Sequence, residues 1–325
     1  MSNFKPDLLT ILISCGLSVA GVPTCAEAAK AATQSNNAAN NQAAQQSGSA
    51  EIVRESPRGR QGGMKVLAEG SYGQVSDPFI AVTRDAQVYA ALRQWVKELP
   101  PLADSFFKSH AVVAVFTGLH NTGGYGIEMT RSGRGQLLVS ESVPPPDMMT
   151  TQALTKPFKV VAVTAKEDET VSVVLQGALA AAVLRPYRVA SGEFTPDAGG
   201  AARAKTSGLE GELKVARYEG LATVFFDLRG VGAKGSNFLQ TSATAVVGYD
   251  GLFSLTSLEA NTLAGRASRR LRVTGRFTGV DEDKLDLDFA LPSSKVAEGL
   301  SRVGKLAAVA TAPAPPKRQP GASMY

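Results

Sequence analysis

The first folded part of the sequence, residues 64–175, combines short β-branched runs with one helical pattern. Residues 79–83 (FIAVT) and 111–117 (AVVAVFT) are apolar up to a final threonine, which is typical of buried strands. Apolar residues recur at the spacing of one helical face directly after Asp85, so we predict a helix capped by that carboxylate. Further strands are predicted at 125–130, 136–142, 158–164 and 171–175. We therefore expect an α+β domain with one antiparallel sheet and one helix.

A second region, residues 207–292, is patterned almost entirely as β-strands. Apolar residues alternate with Asp or Ala across 285–291, which predicts one buried and one solvated face. Asp250 and Gly251 lie between two strand patterns and predict a hairpin turn, because Gly supplies the positive φ that such turns need. The region therefore predicts an all-β domain, either a sandwich or a small barrel.

Three further segments carry little strand pattern. Residues 176–206 contain prolines and a Gly pair, so we predict a linker between the two domains. Residues 29–63 predict a disordered tether, because 30–50 contain almost no bulky apolar side chain and 51–63 continue as a mostly polar stretch. Residues 293–325 predict a short helix at 295–305 and then a disordered Pro/Ala-rich tail.

The first 28 residues have the layout of a secretory signal peptide. A short polar start precedes the apolar run 8–20, and small residues allow cleavage after Ala26 or Ala28. The residues leading to Cys15 also resemble a bacterial lipobox, so cleavage, lipidation at Cys15 and retention of the segment all remain open. The first two place the body outside the cytoplasm, in the periplasm or beyond the cell. Only lipidation would attach it to a membrane.

Composition excludes several classes of chemistry. The net charge of +5, from 34 basic and 29 acidic residues, is mild and scattered, so we expect no nucleic-acid partner. Both cysteines lie within the first 28 residues, so the body has no thiol nucleophile and no thiolate metal site. The two histidines, His110 and His120, are too few for a three-His zinc site and are expected at surface or capping positions. We predict no metal, no cofactor and no enzymatic activity.

The segment 111–127 (AVVAVFTGLHNTGGYGI) is the most informative one for function. A buried strand ends at Gly118, a polar turn follows, and Tyr125 opens the next strand. Gly123 and Gly124 allow positive φ or a close approach by other atoms. Tyr125 would then present an apolar ring with a polar tip at the mouth of the strand.

Residues 64–175, about a third of the chain, carry a series of landmarks in order: Gly70-Ser71-Tyr72, Leu92 with Trp95, Leu99-Pro100, Ala103-Asp104 with Phe106, Val112 to Gly118, Thr122 to Tyr125, Pro144, and Lys156-Pro157-Phe158. With these landmarks the region resembles the PrcB C-terminal domain, a family named for a subunit of a bacterial cell-surface protease complex. The resemblance implies association with a subtilisin-like protease and support for assembly of its complex. The family has no established catalytic residues, so none are transferred to this chain.

The resulting hypothesis is an exported, non-catalytic protein-interaction module. Its partner would be an envelope protein, with a protease as the leading candidate, and its role would be to stabilise or assemble that protease complex. The predicted contact residues are Asn121, Thr122, Gly123, Gly124, Tyr125, Pro157 and Phe158.

Two alternatives remain open. Residues 121–125, 133–135 and 156–158 are similar in order to the three binding loops of chagasin-like peptidase inhibitors, but they lack the Pro-Thr-Thr pattern and have Phe where Trp is usual. A glycan-acting or glycan-binding envelope protein would instead use carboxylates of 207–292. Basic residues of 266–276 and acidic residues of 281–288 are predicted to face each other across a hairpin.

Overall fold

The protein is described by a computed structural model that covers residues 63–132, 136–166, 169, 171–195, 207–231, 237–260, 269–292 and 300–313. The predicted signal peptide, the tether apart from Gly63, and the tail from residue 314 lie outside these residues. The described chain is mainly β with two α-helices, which confirms the predicted fold class.

The first part of the chain holds seven strands, two helices and one 3₁₀ turn among the described residues. In chain order these are β1 Met64–Gly70, β2 Phe79–Thr83, α1 Ala86–Trp95, the 3₁₀ turn Asp104–Lys108, β3 His110–Phe116, β4 Gly126–Arg131, β5 Leu137–Ser142, β6 Phe158–Thr164, β7 Val173–Leu175 and α2 Gly177–Val183. The remaining elements are β8 Arg185–Phe194, β9 Ser207–Tyr218, β10 Leu221–Gly230, β11 Asn237–Val246, β12 Leu252–Ala260, β13 Arg269–Thr278, the 3₁₀ turn Val280–Glu282, β14 Lys284–Pro292 and β15 Leu300–Ala310.

Local sequence signals place several elements where they were predicted. Strands β2 and β6 coincide with the predicted 79–83 and 158–164. Helix α1 begins after Asp85, whose Oδ1 accepts a hydrogen bond from the Gln87 backbone N–H at 2.6 Å. The carboxylate thereby satisfies one of the amide groups that a helix leaves unpaired at its start.

The first region forms two sheets rather than the single antiparallel sheet that we predicted. Strands β1-β6-β3-β2 form a four-stranded antiparallel sheet, and β4-β5-β7 form a second sheet in which β5 and β7 run parallel. The chain leaves β3 through Gly118, whose φ of +80° is open to glycine and strained for other residues. Beyond this turn β4 pairs with β5 instead of returning to the first sheet.

The second region is one eight-stranded antiparallel sheet in the order β11-β10-β9-β8-β15-β14-β13-β12. It is nearly closed into a barrel-like form. Its two end strands, β11 and β12, follow each other through the hairpin predicted at Asp250 and Gly251, where Gly251 has φ +78°. Alternate side chains of β14 are buried in the second hydrophobic core, as the period-two pattern predicts: Leu285, Leu287, Phe289 and Leu291.

Two segments differ from the sequence prediction because they form strands that pair within the eight-stranded sheet. The predicted linker 176–206 contains α2 and β8, and β8 pairs with both β9 and β15. Residues 300–310 form β15 instead of continuing the helix predicted at 295–305. Strand β15 lies between β14 and β8, so its backbone groups complete two ladders of the sheet.

The two predicted domains share a hydrophobic core. Residues 58–325 form a single compact unit. Ala216 and Leu221, which follow the predicted linker, are buried in the same cluster as Phe79 and Ile80 of β2. The outer face of the eight-stranded sheet therefore completes the core of the first region.

Side-chain hydroxyls of the eight-stranded sheet cap the open edge of β2. Thr223 Oγ1 on β10 donates to the Ile80 carbonyl at 2.5 Å, and the Val82 N–H donates to Thr244 Oγ1 on β11 at 2.6 Å. The two hydroxyls lie 2.8 Å apart, and both threonines are buried. Because residues 80 and 82 point their backbone groups to the same side of the strand, two threonines satisfy the edge.

A cluster of aromatic rings also connects the first region with the eight-stranded sheet. Trp95 packs edge-to-face against Phe79, Phe116 and Tyr218, with ring centroids 6.0, 6.1 and 5.1 Å apart. It is half-buried. Burial and the neighbouring Glu219 carboxylate raise the pKa of Tyr218 to about 12. Tyr218 belongs to β9, so this cluster also spans both regions.

We expect Thr244→Val to lower the free energy of unfolding by about 1–3 kcal/mol, because it leaves the Val82 N–H buried without an acceptor. Denaturant unfolding measures the change. Thr274→Val, at an exposed position of β13, is the matched control and should lie within about 0.5 kcal/mol of the wild type. Equal unfolding midpoints for the two variants would show that the cap is not needed.

We expect Tyr218 to make the free energy of unfolding decrease with rising pH above about pH 10. Its folded pKa of about 12 exceeds the ordinary tyrosine value of 10.0, so the folded chain holds this proton more tightly than the unfolded chain. The contribution is complete below about pH 10 and is lost as the pH rises from 10 towards 12. The difference in tyrosinate absorbance between the wild type and Tyr218→Phe isolates this titration. A difference curve with its midpoint near 10 would contradict the assignment.

Candidate functional site

The predicted contact loop is paired with a second segment along its length. Residues 117–125 run beside residues 151–157, and we call this pair the Gly-Tyr ribbon. His120 and Thr155 exchange two backbone hydrogen bonds of 2.8 and 3.0 Å, and the Gly123 N–H donates to the Thr151 carbonyl at 2.9 Å. Thr155 Oγ1 adds a bond of 2.8 Å to the Thr122 carbonyl. The backbone of the loop is therefore held from both ends.

Gly123 and Gly124 of the ribbon serve the roles that the sequence predicts. Gly124 has φ +90°, a conformation that side chains disfavour. A Cβ at Gly124 would also lie 2.9 Å from the Pro144 Cβ, and a Cβ at Gly123 would collide with Thr151 Oγ1. The two positions therefore fix how closely the segment 144–151 packs on the turn.

Tyr125 is half-buried and stacks on His120. The ring centroids are 3.9 Å apart and the ring planes differ by 17°. His120 itself is buried, in contrast to the surface or capping position expected from the sequence. One face of the Tyr125 ring is therefore covered by the imidazole.

The surroundings of His120 hold the ring in place. Its Nε2 lies 2.9 Å from Glu141 Oε1 and 3.1 Å from Thr117 Oγ1. A nucleophile–base–acid relay needs the hydroxyl and the carboxylate on opposite nitrogens of the imidazole, whereas here both approach the same nitrogen. The Thr117 hydroxyl is also buried. This geometry orients the imidazole beneath Tyr125.

Of the other predicted contact residues, two lie at the surface and two in the interior. Asn121 is exposed and Thr122 is partly exposed. Pro157 and Phe158 are buried and cannot touch a partner in this conformation. Phe158 stacks on Phe116 at 6.4 Å and fills the space beside Gly70, where a Cβ would lie 2.9 Å from its ring. These two buried residues therefore support the ribbon from the interior of the protein.

Large exposed apolar side chains flank the ribbon, and the sequence analysis missed them. We call this set the apolar rim: Tyr72, Val143, Met148, Met149 and Leu154. Met149 is 97% exposed and Tyr72 is 74% exposed. The Met pair follows three prolines and Asp147 in the sequence, and this proline run is the one signal that could have located it.

Backbone contacts place the rim beside the ribbon. Tyr72 forms a parallel bridge with Lys156, and Leu154 precedes the Thr155 that pairs with His120. Val143 and the Met pair lie in or next to the segment that packs on Gly123 and Gly124. The rim residues therefore lie on the ribbon itself, on a segment bridged to it, or in or next to the segment packed against its glycines.

One of the three loops on which the inhibitor alternative depends is not available for binding in this structure. Pro157 and Phe158 of the segment 156–158 lie in the interior, and residues 133–135 lie outside the described residues. For the glycan alternative, Asp286 and Asp288 are exposed on β14 and stand opposite Arg276 and Thr274 of β13. The pair of Arg276 and Asp286 matches the predicted pairing of basic and acidic residues, whereas Arg272 stands opposite Ala290.

Two further observations concern the parts of the chain that the structure describes. There, no three His, Cys, Asp or Glu side chains come together in a way that could hold a metal ion. No helix in these parts is long and apolar enough to cross a membrane.

Comparison with curated proteins and with solved structures finds no match for the chain. A family model described as PrcB C-terminal matches residues 111–164. The matched segment starts in β3, passes through the Gly-Tyr ribbon and Glu141, and ends with β6. Residues 111–164 therefore match the PrcB C-terminal family, as the resemblance of residues 64–175 predicted.

Proposed function

We propose that this chain is an exported, non-catalytic protein-interaction module that binds within a cell-envelope protease complex and supports its assembly or stability. The apolar rim beside the family-matched ribbon is the observation that carries the proposal. The PrcB C-terminal match supports a protease-containing complex as the setting. The signal-peptide pattern of the first 28 residues supports export.

The exposure of the rim favours a macromolecular partner. Clustered large apolar side chains on a protein surface mark interaction sites more often than scattered single ones do. Methionine is unbranched and polarisable, so Met148 and Met149 can adapt to the surface of a partner. Tyr72 adds an aromatic ring, a side-chain type enriched among residues that dominate binding energy.

The rigidity of the ribbon lowers the cost of binding. Backbone bonds between 117–125 and 151–157 hold the loop before any partner arrives. A binding surface that is already ordered loses less conformational entropy on association. The stack of Tyr125 on His120 contributes to this order, so we assign Tyr125 a positioning role with one ring face left for contact.

Binding without catalysis is supported by the chemistry of the ribbon. Its single imidazole, His120, is buried against Glu141 and Thr117 with both oxygens at one nitrogen. This arrangement stabilises the fold beneath the surface and offers a substrate no accessible nucleophile at that point.

We expect the double variant Tyr72→Ser/Met149→Ser to weaken capture of the envelope partner by about thirtyfold, equivalent to about 2 kcal/mol lost from exposed anchors. Tyr249→Ser is the matched control, because Tyr249 is a fully exposed tyrosine on the β11–β12 hairpin. Tagged chains are expressed in their native host and recovered from the envelope with bound proteins, which mass spectrometry identifies and quantifies.

All three substitutions are at exposed positions, so thermal unfolding should be unchanged. Recovery of a protease with the wild type and the control, but not with the rim variant, is the expected result. Equal recovery with both variants, or no protease with any chain, would overturn the proposal. The same samples give the mature N-terminus, and a start at Glu27, Ala29 or lipidated Cys15 would support export.

We expect Tyr125→Ala to lower stability by about 0.5–1.5 kcal/mol, because it removes the ring that stacks on buried His120. Tyr125→Phe keeps the ring and should keep the stability. Denaturant unfolding measures both variants, and partner capture is then compared at matched stability. If Tyr125→Ala unfolds like the wild type, the stack does not support the ribbon.

A further inference from the structure

The apolar rim contains two adjacent thioether side chains at the protein surface. Met149 is 97% exposed and Met148 is 59% exposed. Of the other methionines that the structure describes, Met129 is 6% exposed and belongs to the first hydrophobic core, and Met64 is partly buried against that core. Within the described residues, the accessible thioether sulfur is therefore concentrated at two neighbouring positions of the rim.

The turn that carries the Met pair is fastened on both sides. Before it, Pro144 packs on Gly124, where a Cβ would lie 2.9 Å from the Pro144 Cβ. After it, the Thr151 carbonyl accepts a backbone hydrogen bond of 2.9 Å from the ribbon. The turn itself is closed by the Met148 N–H, which donates to the Pro145 carbonyl at 3.0 Å. Both methionines are therefore held at the tip of a short turn, which keeps their side chains at the surface.

An exposed thioether is open to oxidation by a hydroperoxide such as hydrogen peroxide. The sulfur lone pair attacks one peroxide oxygen, so that an S–O bond forms as the O–O bond breaks. The sulfur-bound hydroxyl then gives its proton to the departing hydroxide. The sulfur has lost two electrons as a sulfoxide, and the peroxide has been reduced to one molecule of water.

Oxidation changes the character of this part of the rim from apolar to polar. Methionine sulfoxide is polar and chiral, and it disrupts interfaces that rely on methionine. Its oxygen loses hydrogen bonds to water when a partner covers it, and an apolar partner surface offers no replacement. Because Met129 is buried, we expect the same treatment to leave the first core intact.

We propose that Met148 and Met149 form an oxidation site at which a hydroperoxide switches off binding by the apolar rim. The site itself rests on the exposure of the pair and on the fastened turn. Its effect on binding rests on the proposed function. Since methionine sulfoxide is reduced enzymatically to methionine, the change is reversible.

Peptide mapping of the full chain, treated with hydrogen peroxide under native conditions, tests the site. Trypsin cleaves after Arg131 and Arg134, which places Met129 on one peptide and the Met pair on another. We expect mass spectrometry to show both rim methionines oxidised about tenfold or more faster than Met129. Equal rates at the three positions would overturn the site, whatever the chain captures.

Capture of the envelope partner tests the switch. The purified chain is oxidised, freed of peroxide and mixed with untreated envelope extract, and the recovered protease is quantified. We expect recovery to fall about tenfold, because sulfoxides replace two apolar anchors, and to return after treatment with methionine sulfoxide reductases. Met148→Leu/Met149→Leu is the matched control, since it keeps two apolar side chains of similar size without sulfur. Its recovery should be equal with and without peroxide.

The outcomes separate this inference from the proposed function. Unchanged recovery after complete oxidation of the Met pair would overturn the switch and leave the proposed function standing. A fall in recovery that also occurs in the double Leu variant would assign the loss to damage elsewhere and would likewise overturn the switch. Failure of the untreated chain to recover a protease would overturn the proposed function and, with it, the effect on binding, while peptide mapping would still decide the site.

Discussion

The open edge of β2 is the constraint on which the arrangement of this protein depends. An edge strand presents backbone N–H and C=O groups that must find partners when they are buried. Thr223 and Thr244 supply these partners from β10 and β11. The family-matched segment ends at residue 164, so its sheet is completed by residues far downstream. Ala216 and Leu221 fill part of the same core, which explains why 58–325 form one unit.

Elements with a strong local signal could be predicted from the sequence, whereas those decided by distant pairing could not. Helix α1 has its cap and its apolar face within a few residues, and β2 and β6 consist mainly of apolar, β-branched and aromatic residues. Strand β8 contains Pro186 and Gly192, and only some of its side chains are buried. Strand β15 begins within the segment 295–305 that we predicted as a helix. Pairing with neighbouring strands overrides such local preferences.

The candidate site divides in the same way. The conformations of Gly123 and Gly124 are local properties of a tight turn, so the sequence indicates them. The burial of His120 depends on Glu141, which lies on another strand, and the stacking of Tyr125 depends in turn on His120. The exposure of Met149 depends on how the segment after Pro144 packs on the turn. The burial of His120 and the stacking of Tyr125 have no signature within their own stretches of sequence, and the exposure of Met149 has only the preceding prolines as a signal.

The same constraint limits how a partner can bind. With β2 covered by the eight-stranded sheet, β1 is the other edge of the four-stranded sheet. The register of β1 against β6 shifts between Val66 and Ala68, and irregularities of this kind discourage the addition of another strand. We therefore expect a partner of this region to bind through side-chain contacts rather than by adding a strand to the sheet. The ribbon continues directly from the end of β3 and leads into the start of β6, the two central strands of the sheet. A partner that binds the ribbon therefore contacts segments anchored in strands that are paired on both sides.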